Sequence, residues 1–181
     1  MNGDRYVADF SQESPKLLQR HRYGRIEVAD GGAWRVVFRR LPMLISIGEA
    51  LWIGGWKHRR QKGDRVRLYY DQPWRFPQFL TLKYAESTRN TSLATISRAL
   101  AIADEIARVK ACDALLCDVT NSRITADMAK RWGWEPHCLT SWRRHFIKRF
   151  YGNYPPRPAW LACIPHGGVP LLARRQCWPA S

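Results

Sequence analysis

The sequence predicts an α/β domain in which helices flank a mixed, mostly antiparallel sheet, and three observations carry that prediction. Residues 79–135 change period in a fixed order: a strand-like run (79–86), a polar loop (87–92), an apolar stripe at helical spacing (93–109) and a second strand (114–119). Asn121 then opens a helix that stops at Gly133. Residues 23–40 read as a hairpin, because Asp30-Gly31-Gly32 is turn chemistry and Trp34, Val36 and Phe38 alternate with Arg35, Val37 and Arg39. At 181 residues with nine Trp, the chain can bury the core of one domain.

The remaining elements follow from local signals. Residues 1–22 are polar and poorly periodic, which predicts an arm with one helical turn after Pro15. Residues 43–61 begin as a helix, since Met43, Ile47, Ala50 and Leu51 share a face, and Gly54-Gly55 end or bend it. Strands at 65–71 and 79–86 pair antiparallel across a loop stiffened by Pro73 and Pro77. In the helix 93–109, Leu93, Ile96, Leu100, Ala103 and Ile106 are expected to face the sheet, with Arg98, Asp104, Glu105 and Arg108 outward. The strand 114–119 is apolar enough to be central, and Asn121 can cap the amides of Arg123 or Ile124. Gly133 suits a helix C-cap. Residues 142–151 fit either a last strand or an amphipathic helix. Six of the eleven Pro residues lie in the last 27 positions, which predicts an extended tail. The expected organisation is an arm (1–22), one domain (23–152) and a Pro-rich basic tail (153–181).

The formal net charge is +15, from 30 Lys and Arg against 15 Asp and Glu, and points to an anionic partner. From Pro136 to Ser181 there is no acidic residue. Lys57, Arg59 and Arg60, and again Arg143, Arg144, Lys148 and Arg149, lie among Trp56, Trp142, Phe146, Phe150 and Tyr151. Cations beside aromatic faces suit RNA or another polyanion, and they equally suit a solvated basic face or a groove for an acidic protein. No apolar run reaches 18 residues and the N-terminus lacks a secretory signal, so a cytoplasmic protein with no membrane partner is expected. Five Cys residues without paired spacing predict reduced thiols and no metal.

The run Arg89-Asn90-Thr91-Ser92-Leu93-Ala94, with Asn121 and Arg131-Trp132-Gly133-Trp134-Glu135 downstream, resembles the GNAT superfamily of acyl-CoA-dependent N-acyltransferases. The resemblance implies a GNAT-like sheet, acetyl-CoA or another acyl-CoA as co-substrate, and a small-molecule or protein amine as acceptor. It places Arg89, Asn90, Thr91, Ser92, Leu93 and Ala94 at the CoA pyrophosphate and Asn121 beside the pantetheine. Ser92 stands where the family has Gly, and Met128 or Ala129 stands where it often has a proton-donating Tyr. A hairpin precedes the expected helix and two strands follow it, so a trimmed or rewired variant is predicted. Glu86 is the only acid in the strand before the loop and is the candidate base; the plain alternative is a solvated strand end or an ion pair with Arg89. His137, His145, Tyr84 and Tyr151 are further possible proton carriers. Two functions therefore stand: an N-acyltransferase, or a non-catalytic GNAT-like scaffold whose basic surface binds RNA or another polyanion.

Overall fold

The computed structural model describes residues 6–8, 10, 14–41, 63–119, 125–140 and 143–162. Eight strands form one sheet: β1 (Tyr6–Val7), β2 (Tyr23–Val28), β3 (Trp34–Arg39), β4 (Val66–Asp71), β5 (Phe79–Ser87), β6 (Ala114–Val119), β7 (Glu135–Thr140) and β8 (Arg143–Arg149). Among the described residues the helices are α1 (Ser14–Arg20), α2 (Leu93–Val109), α3 (Ala126–Arg131) and α4 (Ala159–Ala162). The strand order is β1-β3-β2-β4-β5-β6-β8-β7. Every described pairing is antiparallel except that of β5 with β6, which α2 connects. The fold is thus the mixed, mostly antiparallel α/β sheet that the sequence predicts.

Turn chemistry explains the joints. Gly31 and Gly32 take φ of 73° and 81° in the short turn between β2 and β3, a region that costs glycine little. After α3, Trp134 N–H donates to the Ala129 carbonyl and Gly133 N–H to that of Lys130, which together satisfy the open helix end. β2 pairs with both β3 and β4, so the hairpin enters the sheet with its first strand inward.

The core lies between the sheet and α2. Ile26, Val28, Val36, Leu68, Tyr70, Leu80 and Leu115 from the strands meet Ala99, Ile102, Ala103 and Ile106 from the helix. Tyr70 is fully buried because Gly24 opposite leaves room for it; a Cβ there would lie 2.5 Å from the ring. The buried face of α2 is rotated from the expected one. Leu93, at its first turn, is exposed, whereas Thr95 and Glu105 are buried.

Both ends of the described chain join this core. β1 pairs with β3, and α1 contributes Leu18, which is wholly buried. After β8, Tyr154 Oη donates to the Cys112 carbonyl at 2.9 Å, and Leu161 of α4 is buried. Glu105 is buried because Arg157 from this segment and Arg108 from α2 both pair with it. The Lys110 ammonium donates to the His21 carbonyl at 2.8 Å and to Gln72 Oε1 at 3.1 Å, tying the end of α2 to the start of β2. The predicted helix in 43–61 and the tail from 163 onward lie outside the described residues.

Candidate functional site

The site begins where the parallel pair ends. Phe79–Leu82 of β5 pair with Ala114–Cys117 of β6, and the ladder stops there. From Lys83 to Ser87, β5 continues with β4 on one side and no described strand on the other. Asp118 and Val119 of β6 stay paired with His145 and Arg144 of β8. The two strands therefore part into a wedge, and along its β5 wall, on the side away from β4, no described strand lies beside Lys83, Tyr84 and Ala85. The loop 88–92 and the start of α2 stand at the end of that wall.

The loop is braced from within. Thr91 Oγ1 donates to the Arg65 carbonyl at 2.7 Å, Thr88 Oγ1 accepts from Arg65 N–H at 3.1 Å, and Thr88 Oγ1 also donates to the Gly63 carbonyl. Ser92 is the N-cap of α2: its Oγ accepts from Thr95 N–H at 3.1 Å, with φ −75° and ψ 154°. This φ is ordinary for any residue, so the backbone has no conformational need for Gly here. Ser92 N–H and Oγ–H in turn donate to the two carboxylate oxygens of Asp64, at 2.8 and 2.7 Å. The carboxylate of the chain itself thus sits at the positive end of α2, where the resemblance places a pyrophosphate. Desolvation raises the Asp64 pKa, but hydrogen bonds from the Thr95 side chain and the Ser92 backbone and side chain together outweigh it and hold the group below its ordinary value. Arg89, Asn90 and Ala94 are exposed, and Thr91 is half-buried. Leu93 and Ala94 open the helix and have no intrahelical acceptor for their amides.

Behind the wedge, on the sheet face away from α2, charges alternate across four strands. Arg35, Glu27, Arg67 and Glu86 are successive cross-strand partners on β3, β2, β4 and β5. Glu27 is fully buried and lies 2.5 Å from Arg35, 2.6 Å from Arg25 and 3.4 Å from Arg67. Arg67 reaches Glu86 at 3.6 Å from across the ladder. Two positions before Glu86 on the same face, Tyr84 packs with Tyr69, ring centroids 5.9 Å apart. Burial first, then the charge of Glu86 and the neighbouring Tyr69, push the Tyr84 phenol above its ordinary pKa, so it keeps its proton at neutral pH.

The remaining candidates separate. Asn121 lies outside the described residues, and the described helix there begins at Ala126 with Thr125 as its cap, accepting from Met128 N–H at 3.2 Å. Ala129 is buried against Trp134 and Met128 is half-buried; neither carries an ionisable proton. His145 faces Asp118 on one side and His137 on the other in the strand register, a row invisible in the sequence because its members come from three strands. Lys57, Arg59 and Arg60 lie outside the described residues. Arg143 and Arg144 are on β8, while Lys148 pairs with Asp104 at 2.7 Å and Arg149 with Glu135.

No family model matches the chain, and neither does any curated protein. Among solved structures the chain is similar to nourseothricin acetyltransferase, at 12% identity over 80% of this chain and 97% of that one, with a TM-score of 0.40.

Proposed function

We propose that the protein is an acyl-CoA-dependent N-acyltransferase acting on an amine. The parting of β5 from β6 beside the loop and start of α2 carries this reading. The stretch of β5 that β6 has left can hydrogen-bond the amides of a pantetheine arm, and a helix start at its end can meet the phosphates that follow. Arg89 is exposed on that loop and adds a mobile cation for a phosphate.

In the reaction the amine nitrogen attacks the thioester carbonyl, the C–N bond forms, the C–S bond breaks, and CoA leaves as a thiolate. Glu86 takes the proton lost by the amine. Tyr84, protonated and on the same strand face, returns a proton to the thiolate in place of the Tyr missing at Met128 or Ala129. Asp64 competes with the incoming pyrophosphate for the Ser92 amide, so CoA binding requires this carboxylate to move aside.

Calorimetry with acetyl-CoA tests the reading directly. Saturable binding, weakened in Arg89→Ala by about 1 to 2 kcal/mol through loss of a charge-assisted contact, is the expected result. Absence of binding at millimolar acetyl-CoA to a folded protein removes the enzyme and leaves the fold.

A further inference from the structure

Six large apolar side chains are exposed among the described residues, and four of them, Leu41, Trp74, Phe76 and Tyr151, gather at the end of the sheet remote from the loop. The register fixes this placement. Tyr23, Arg39 and Asp71 are aligned at one end of β2, β3 and β4, and the starts of β5 and β6 and the end of β8 lie at the same end. Leu41 follows β3, Trp74 and Phe76 occupy the β4–β5 loop, and Tyr151 follows β8. Between β3 and β8 lie five strand spacings, so these groups span a rim of about 24 Å.

The rim is rigid and cationic. The run Pro73-Trp74-Arg75-Phe76-Pro77 holds two aromatics on either side of an exposed Arg, braced by Gln72 Nε2 donating to the Pro77 carbonyl at 2.6 Å. Arg22 stacks over Trp74 at 3.9 Å from the ring centroid, and Arg20 and Arg40 are exposed nearby in the chain order. Tyr151 is 72% exposed although its backbone takes φ of 47°, a conformation that is costly for a non-glycine residue. Single exposed apolar residues are ordinary, but a row of them confined to one end is not.

We propose that this rim is a docking surface for an anionic lipid membrane, with Trp74, Phe76, Leu41 and Tyr151 entering the interface and Arg20, Arg22, Arg40 and Arg75 meeting lipid phosphates. Aromatic rings with a polar edge settle at headgroup depth, and arginines there gain from the surface potential. Leu41 is aliphatic and cannot stack on a base, and one face of Trp74 is already covered by Arg22, so the rim suits a lipid plane better than a nucleic-acid strand. None of the described helices is long and apolar enough to cross a membrane, so the contact is one of lying on the surface. The sheet would stand upright, with the wedge and loop pointing away from the lipid.

Flotation with vesicles of equal parts phosphatidylcholine and phosphatidylglycerol tests this, with pure phosphatidylcholine vesicles and labelled oligouridylate as further arms. The parent protein should bind the anionic vesicles and bind pure phosphatidylcholine at least roughly tenfold more weakly. The double variant Trp74→Ser, Phe76→Ser should lose anionic-vesicle binding by roughly tenfold or more with at most a small fall in thermal midpoint, because both side chains are mostly exposed and Trp74 gives up only its stacking with Arg22. Arg75→Gln should weaken binding and flatten its salt dependence. Parent protein that ignores anionic vesicles overturns the proposal. So does a double variant that binds them as well as the parent does, or one that loses oligouridylate instead.

Discussion

Two carboxylates in one charge row are expected to behave in opposite ways. Glu27 is wholly buried among Arg25, Arg35 and Arg67, so Glu27→Gln leaves guanidinium charge uncompensated and should destabilise the fold by about 3 to 5 kcal/mol in urea titrations. Glu86 is at the accessible end of the row; Glu86→Gln should leave the unfolding midpoint nearly unchanged and lower kcat by about 100-fold if it is the base. Asp64→Asn removes the competing charge at the start of α2, and acetyl-CoA affinity measured by calorimetry should rise. The same variant should lose roughly 0.5 to 1 kcal/mol of stability at neutral pH through the weakened helix-end interaction. That difference carries a pH signature. Because the folded pKa of Asp64 is depressed, its contribution is present above the ordinary value of 3.8 and disappears as pH falls through the folded value, so parent and variant should converge in acid. Asp64 was not legible as part of the site, since it lies 28 positions from Ser92 and only folding joins them. Ser92, by contrast, was visible in the sequence, but its role was not: a missing Gly turned out to be a helix cap.

At the scale of elements, the extents of α2 and β6 were readable from period alone, and the sheet pairing of β4 with β5 from the two Pro residues in their connection. The face of α2 was misjudged because Glu105 looks like a solvent residue until Arg157, 52 positions on, comes to meet it. The helical turn expected after Pro15 is α1, whereas β1 and α4 are not legible for a related reason: each supplies few apolar anchors, such as Val7 or Leu161, too sparse to set a period. Their docking predicts that truncation after Gly152 is costly. It removes Arg157 from buried Glu105, Tyr154 from the Cys112 carbonyl and Leu161 from the core, and should lower stability by more than about 3 kcal/mol in chemical denaturation. The clamp at the other end of α2 responds to pH. Burial chiefly, opposed by Cys112 and aided by Arg22, lowers Lys110 from 10.5 to about 8, so the folded state sheds this proton before the unfolded one does. Stability should therefore rise as pH goes from about 8 to 9 in the parent and not in Lys110→Met. Above 9.0 the sign turns, because burial raises Cys112 to about 11 and Cys117 to about 12, and their unfolded thiols ionise first.

For the whole molecule, the strand order was the hardest feature to read. The hairpin signal in residues 23–40 reports a pairing of β2 with β3, but nothing local says that β2 rather than β3 turns inward against β4. Burial does not make the choice either, since β3 carries the equally buried run Val36, Val37 and Phe38 and has β1 on its other side. The junction of β5 with β6 divides the sheet into an antiparallel ribbon of five strands and another of three. Each ribbon is built of reversals, whereas the junction closes only after α2 has crossed over, and four residue pairs make its ladder. Long-range parallel pairing of this kind forms late, so in pulsed hydrogen exchange those amides of 79–82 and 114–117 that point across the junction should gain protection after the amides paired inside each ribbon. The same short ladder makes the junction a seam that a ligand can stitch. A molecule lodged between the parted strands would bridge both ribbons, so saturating acetyl-CoA should slow exchange on β6 and β8 as well as along the β5 edge it touches.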